Sequence, residues 1–86
     1  MTYEIIWTPT AADQLQFWRT TNLKKVEKIK KLCESIICSP EQGIGRPERL
    51  KFFNENVWSR RIDQEHRLVY QIKNNAIYIL QCRYHY

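Results

Sequence analysis

Three kinds of side chain in this sequence could do chemistry together: the carboxylate of Glu48, the guanidinium groups of Arg61 and Arg67, and the imidazole of His85. Such a set suits general acid–base work on an anionic substrate. Metal-free cleavage of RNA has three needs. A base must take the proton of the ribose 2′-OH, a cation must stabilise the extra charge on a phosphorane-like transition state, and an acid must protonate the departing 5′-oxygen. Glu48, Arg67 or Arg61, and His85 could fill these roles. Composition alone does not bring them together in space, and a lone histidine is by default a surface or packing residue.

Other chemistries find less support. His66 and His85 are the two histidines, and neither has zinc-type partners at ligand spacing, so no metal is expected. Neither a P-loop nor a dinucleotide-binding glycine fingerprint occurs, and no cofactor is expected. Ser35, Ser39 and Ser59 lie in no nucleophile motif. Cys33, Cys38 and Cys82 are odd in number and not spaced as a CxxC pair, which excludes a disulfide scaffold and fits a reducing, cytoplasmic setting. The amino-terminal residues lack the basic-then-apolar pattern of a signal peptide, and no apolar run approaches a membrane span, which requires about 20 residues.

The stretch Trp58–Tyr70 organises the rest. It reads as two short strands around a polar turn at Asp63–His66, with Ser59, Arg61 and Asp63 facing one way and Trp58, Arg60 and Ile62 the other. Three arginines among β-formers need a reason. A guanidinium is costly to bury, and its planar fork of five donors suits phosphate oxygens. The set Arg60, Arg61 and Arg67 is therefore read as a phosphate-binding face. A net charge of +5 points the same way, towards a polyanion or an acidic protein partner.

The remaining elements must position that hairpin. With 86 residues, 43% of them hydrophobic, one small domain spanning 1–86 is expected. Tyr3–Trp7 reads as a strand. Thr8 then caps a helix that opens on Pro9 and sets Ala11, Leu15 and Trp18 on one face. Thr20-Thr21-Asn22 stops this helix and caps a second over about Leu23–Cys38, whose apolar stripe runs Leu23, Val26, Ile29, Leu32 or Cys33, Ile36 and Ile37; its other face carries five lysines. Ser39–Pro47 gathers both glycines and two of the three prolines in a loop that delivers Glu48 beside Arg46, Arg49 and Lys51. A last strand is expected over Ala76–Tyr86, with Cys82, Tyr84 and Tyr86 on the face of Ala76, and Arg83 and His85 on the face of Ile77 and Ile79.

Four blocks in order carry a resemblance: Gly43-Ile44-Gly45-Arg46-Pro47-Glu48-Arg49-Leu50-Lys51, Trp58-Ser59-Arg60-Arg61-Ile62, Glu65-His66-Arg67-Leu68-Val69-Tyr70, and the terminal Cys82-Arg83-Tyr84-His85-Tyr86. Together they resemble the YoeB family of the RelE/ParE superfamily of toxins, from type II toxin–antitoxin systems. The resemblance spans the chain and is densest after Gly43. It implies an α+β fold, with two N-terminal helices on a small twisted antiparallel sheet. It also implies a ribosome-dependent endoribonuclease that cuts mRNA in the ribosomal A site and leaves a 2′,3′-cyclic phosphate and a 5′-hydroxyl, without a cofactor.

By that resemblance Glu48 is the general base, Arg67 the transition-state cation, His85 the general acid and Tyr86 the tyrosine beside it, while Lys51 and Arg61 hold substrate phosphate. The implied partners are mRNA on the ribosome, a YefM-type antitoxin, a second copy of the chain, and operator DNA reached through the antitoxin complex; no membrane is implied. Two departures bear on rate and local geometry: Arg49 follows Glu48 where proline is usual, and Asn54-Glu55-Asn56-Val57 stands where a glycine-containing turn is common. Two other readings fit the same charge. One is a toxin of this fold that acts by binding alone, as gyrase-poisoning ParE relatives do. The other is a non-catalytic RNA-binding module. Glu48 and the terminal His85-Tyr86 argue against the first, because a pure binder has no need of an acid–base pair; charge alone does not decide against the second.

Overall fold

A computed structural model describes residues 3–53 and 55–84, so Asn54, His85 and Tyr86 lie outside the described residues. After strand β1 (Glu4–Trp7), the first helix begins as its residue types dictate. Thr8 is extended and its Oγ1 accepts from the Ala11 N–H, while Pro9 takes the first position, where no backbone donor is needed. Helix α1 (Pro9–Thr21) ends at Asn22, whose Oδ1 accepts from the Lys24 and Lys25 N–H groups and so starts α2 (Leu23–Cys38) without a linker. The stripe of α2 buries Ile29, Leu32 and Ile36 as its spacing requires. Leu23 departs from the expected stripe: it is the first residue of α2 and is 67% exposed.

Strands β2 (Glu48–Arg49), β3 (Val57–Arg61), β4 (Arg67–Lys73) and β5 (Ala76–Gln81) complete one five-stranded sheet in the order β1-β5-β4-β3-β2. The β2–β3, β3–β4 and β4–β5 pairs are antiparallel, but β1 runs parallel to β5, so the sheet is mixed rather than the wholly antiparallel one expected. Hairpins dictate direction among β3, β4 and β5. Asn74 and Asn75, both at positive φ, make the tight turn between the last two. β1 has no hairpin partner; a long helical connection leaves its direction free.

The helices cover one sheet face. Ala11, Trp18, Ile29, Leu32 and Ile36 pack there on Leu68, Tyr70, Ile77 and Ile79. A smaller cluster, Leu50, Val57 and Val69 with Phe53 and Leu80, lies apart from it. The last strand corrects the sequence expectation. Val69 pairs with Gln81 while Tyr70 pairs with Ile79, which leaves Leu80 as the extra residue of a β-bulge. Alternation slips by one, so Cys82 joins the core of Ile77 and Ile79 instead of the face of Ala76. The strand ends at Gln81 because the next peptide bonds to α1: Cys82 N–H donates to Gln14 Oε1 (2.7 Å), and Trp18 Nε1–H donates to the Cys82 carbonyl (2.9 Å).

Candidate active site

Register alone gathers the site. Directly opposed residues of an antiparallel pair project to the same face. Glu48 opposes Ser59 and Arg61 opposes Arg67, so all four share the face away from the helices. The Arg67 guanidinium reaches back along this face, its Nη1 3.8 Å from Glu48 Oε1 and 3.5 Å from Ser59 Oγ. Arg46, Pro47, Glu48, Arg61 and Arg67 line one open cleft of about 330 Å³. Three guanidinium groups around one carboxylate make it a site for an anion. The Glu48 carboxylate stands at the rim with a side chain 63% exposed, whereas Arg67 is largely covered at 17%. A carboxylate so placed can accept a proton from a bound group, and the arginines can hold a phosphate across it.

Lys51 lines an adjoining depression with Glu48, Arg49, Leu50 and Phe52, not the cleft itself. Phe52 is 70% exposed there. The sequence expectations for His85 and Tyr86 fall outside the described residues, but the chain that leads to them is in place. Tyr84, at φ 66°, donates its N–H to His66 Nδ1 (2.7 Å) and accepts the Arg67 N–H at its carbonyl (3.2 Å). Arg83 lies over the Phe17 ring, 3.6 Å from its centroid, and against the Tyr84 ring.

Arg60 overturns its part in the expected phosphate face. It is completely buried, and its five N–H donors are all spent inside the protein. Nε donates to Tyr70 Oη, Nη1 to Ser35 Oγ and the Ile44 carbonyl, and Nη2 to the Ser39 and Gln42 carbonyls, at 2.7–3.1 Å. Tyr70 in turn donates to the Pro40 carbonyl (2.6 Å). Burial pushes the Tyr70 phenol up, against the opposing pull of Arg60. The network fastens the loop before Glu48 to β3, helped by Arg61 N–H donating to the Gly45 carbonyl (2.7 Å). Gly45 sits at φ 83°, where a Cβ would come within 2.6 Å of Leu32 Cδ2, so the loop packs this closely only with glycine. The signal was in the sequence: period-two alternation set Arg60 with Trp58 and Ile62, on the apolar side.

His66 is the other residue that sequence reasoning passed over. It is buried, 6% exposed, with its ring edge-on to Trp18 at 4.8 Å between centroids. Asp63 shapes its turn by accepting from the Glu65 and His66 N–H groups and pairing with Lys25. Burial works against the Asp63 carboxylate, but Lys25 and the two backbone donors outweigh it and hold its pKa at about 2. Burial drives the Cys33 thiol up to about 11 and the Cys82 thiol to about 12, so neither is a nucleophile at neutral pH. Among the described residues, no helix is long and apolar enough to cross a membrane.

The whole chain has relatives. Residues 7–86 match a family described as the YoeB-like toxin of bacterial type II toxin–antitoxin systems. Toxin YoeB of Escherichia coli K12 is 40% identical over 83 residues, spanning 96% of this chain and 99% of that protein. The YoeB dimer of Staphylococcus aureus superposes with a TM-score of 0.89 at 40% identity, and YoeB from the YoeB–YefM complex of the same organism with 0.87 at 40%; each covers all of both chains. On this sequence and structural likeness, the chain belongs to the YoeB-like toxins of bacterial type II toxin–antitoxin systems.

Proposed function

We propose that this toxin is a ribosome-dependent endoribonuclease that cuts mRNA in the ribosomal A site and so stops translation. The observation that carries the reading is the arginine-lined cleft, in which Arg67 lies between Glu48 and Ser59. A scissile phosphate held by Arg61 and Arg67 would bring the neighbouring ribose 2′-OH to Glu48, with Lys51 holding phosphate from the adjoining depression. Glu48 takes the 2′-OH proton as the 2′-oxygen bonds to phosphorus. Arg67 stabilises the charge that gathers on the non-bridging oxygens. The bond from phosphorus to the 5′-oxygen breaks, and His85, assisted by Tyr86, gives that oxygen a proton. The products are a 2′,3′-cyclic phosphate and a 5′-hydroxyl. No metal or cofactor takes part in this scheme.

The chain acts in the cytoplasm as one domain and pairs with a second copy. It is neutralised by a YefM-type antitoxin, with which it represses its own operon. Support comes from the YoeB dimer and the YoeB–YefM complex of S. aureus. The test is induced expression of Glu48→Ala and of His85→Ala. Each is expected to abolish growth inhibition while the variant still co-purifies with the antitoxin. Full toxicity in both variants would overturn the catalytic reading in favour of a toxin that acts by binding.

A further inference from the structure

Residues 82–84 are no longer strand, yet every peptide in this stretch is held. Gln14 and Trp18 take the Cys82 N–H and carbonyl. The Arg83 guanidinium lies on Phe17. Tyr84 is held at both of its backbone groups, and both holds come from one dipeptide: the His66 ring accepts its N–H and the Arg67 N–H donates to its carbonyl. Arg67 is a residue of the cleft, and Tyr84 is the last residue before His85.

We propose that His66 is the positioning residue of the terminal segment, fixing the peptide that leads into His85 and Tyr86 relative to Arg67 through a hydrogen bond accepted at Nδ1. The inference rests on the cleavage reading for its consequence in rate, but not for the tether itself. A buried ring that makes this bond must keep Nδ1 bare, so its proton sits on Nε2, 3.5 Å from Glu65 Oε1. The ring is also fixed in orientation, edge-on to Trp18 and against the Tyr84 ring. Tyr84 needs the support. Its φ of 66° is a conformation that a bulky residue holds only when its surroundings impose it. Without the acceptor, the Tyr84 N–H would lose its partner in a part-buried place, and the segment would be free to turn away from Arg67.

Three substitutions separate this role from simple packing. In His66→Asn the amide oxygen stands close to where Nδ1 accepts. In His66→Gln it is carried one bond too far, and in His66→Leu there is no acceptor. Each full-length variant is assayed for cleavage of a ribosome-bound reporter mRNA, and the Tyr84 amide is followed by hydrogen exchange. His66→Asn is expected to cut within a few-fold of the parent and to keep the Tyr84 amide protected. His66→Gln and His66→Leu are expected to lose roughly a hundredfold in kcat, the scale of an ångström's misplacement of a reacting group, and to lose that protection. Equal rates in all three, or equal loss in Asn and Gln, would overturn the proposal. If the parent itself cuts nothing, the cleavage reading fails, and exchange at Tyr84 still decides the tether. Unaltered exchange in His66→Gln would then refute it.

Discussion

Arg60 and Arg61 are neighbours on β3 and carry the same side chain, yet one is wholly buried and the other lies exposed in the cleft. The strand's alternation sends Arg60 to the helix-covered face and Arg61 to the open one. On the covered face a guanidinium is tolerable only if every donor finds an acceptor, and five acceptors, drawn from the Ser35–Ile44 stretch and Tyr70, converge on it. On the open face the same group keeps its charge available to a ligand. The pair shows how one sheet serves two ends: one arginine fastens the loop that leads to Glu48, and the next lines the open cleft beside Glu48.

Substitution at Arg60 should break this contrast most severely. Arg60→Met leaves five acceptors without their donors, and loss of one partner of such a buried charged network costs about 3–5 kcal/mol. Thermal unfolding is expected to fall by at least about 12 °C, and cleavage is lost with the fold. Arg60→Lys should rescue little, because an ammonium cannot match the planar fork. A variant as stable as the parent would refute the structural role.

The open face should respond in rate and not in stability. Glu48→Gln is expected to slow cleavage by about 10²–10⁴-fold, the range for a general base, with Tm unchanged. Arg61→Ala is expected to lose about tenfold to a hundredfold in rate while stability stays within about 0.5 kcal/mol. A large fall in Tm in either variant would erase the distinction between the two faces.

Smaller effects sharpen the picture around the His66 turn and on the helix side. Asp63 is ionised in the fold down to about pH 2 against an ordinary value of 3.8, so its stabilisation is full above about pH 4 and disappears as pH falls through 2. Asp63→Asn, which keeps the turn's acceptor but not the charge, should lower Tm by about 3 °C at pH 7, the scale of a partly exposed ion pair. The difference from the parent should vanish near pH 2. Smallest is the thiol pattern. Alkylation of the native protein at neutral pH should mark exposed Cys38 and spare Cys33 and Cys82, whose thiols burial keeps protonated. Mass spectrometry reads the number of labels.

Local signals made much of the fold legible. Thr8-Pro9 and Asn22 set the helix starts, the stripe of α2 marked its buried face, and strand alternation sorted β3. The parallel seat of β1 beside β5 and the bulge at Leu80 were not legible, because each is decided by residues distant in sequence: Ile5 against Ile77, Gln14 and Trp18 on Cys82. In the site, the blocks around Glu48, Arg61 and Arg67 pointed to three residues that the register then gathers at one cleft. The two errors of emphasis share a cause. Arg60 and His66 are polar residues whose partners come from other elements, Arg60 donating to five acceptors and His66 accepting from Tyr84, and a single sequence shows neither set of partners.

The most direct test of the central claim is primer extension on a reporter mRNA translated in a purified system, with and without ribosomes, using the parent, Glu48→Gln and His85→Ala. Cleavage near the start codon that needs ribosomes, leaves a 5′-hydroxyl and disappears in both variants is the expected result. No cut by the parent, or a cut that persists in both variants, would contradict it and turn attention to a toxin that acts by binding.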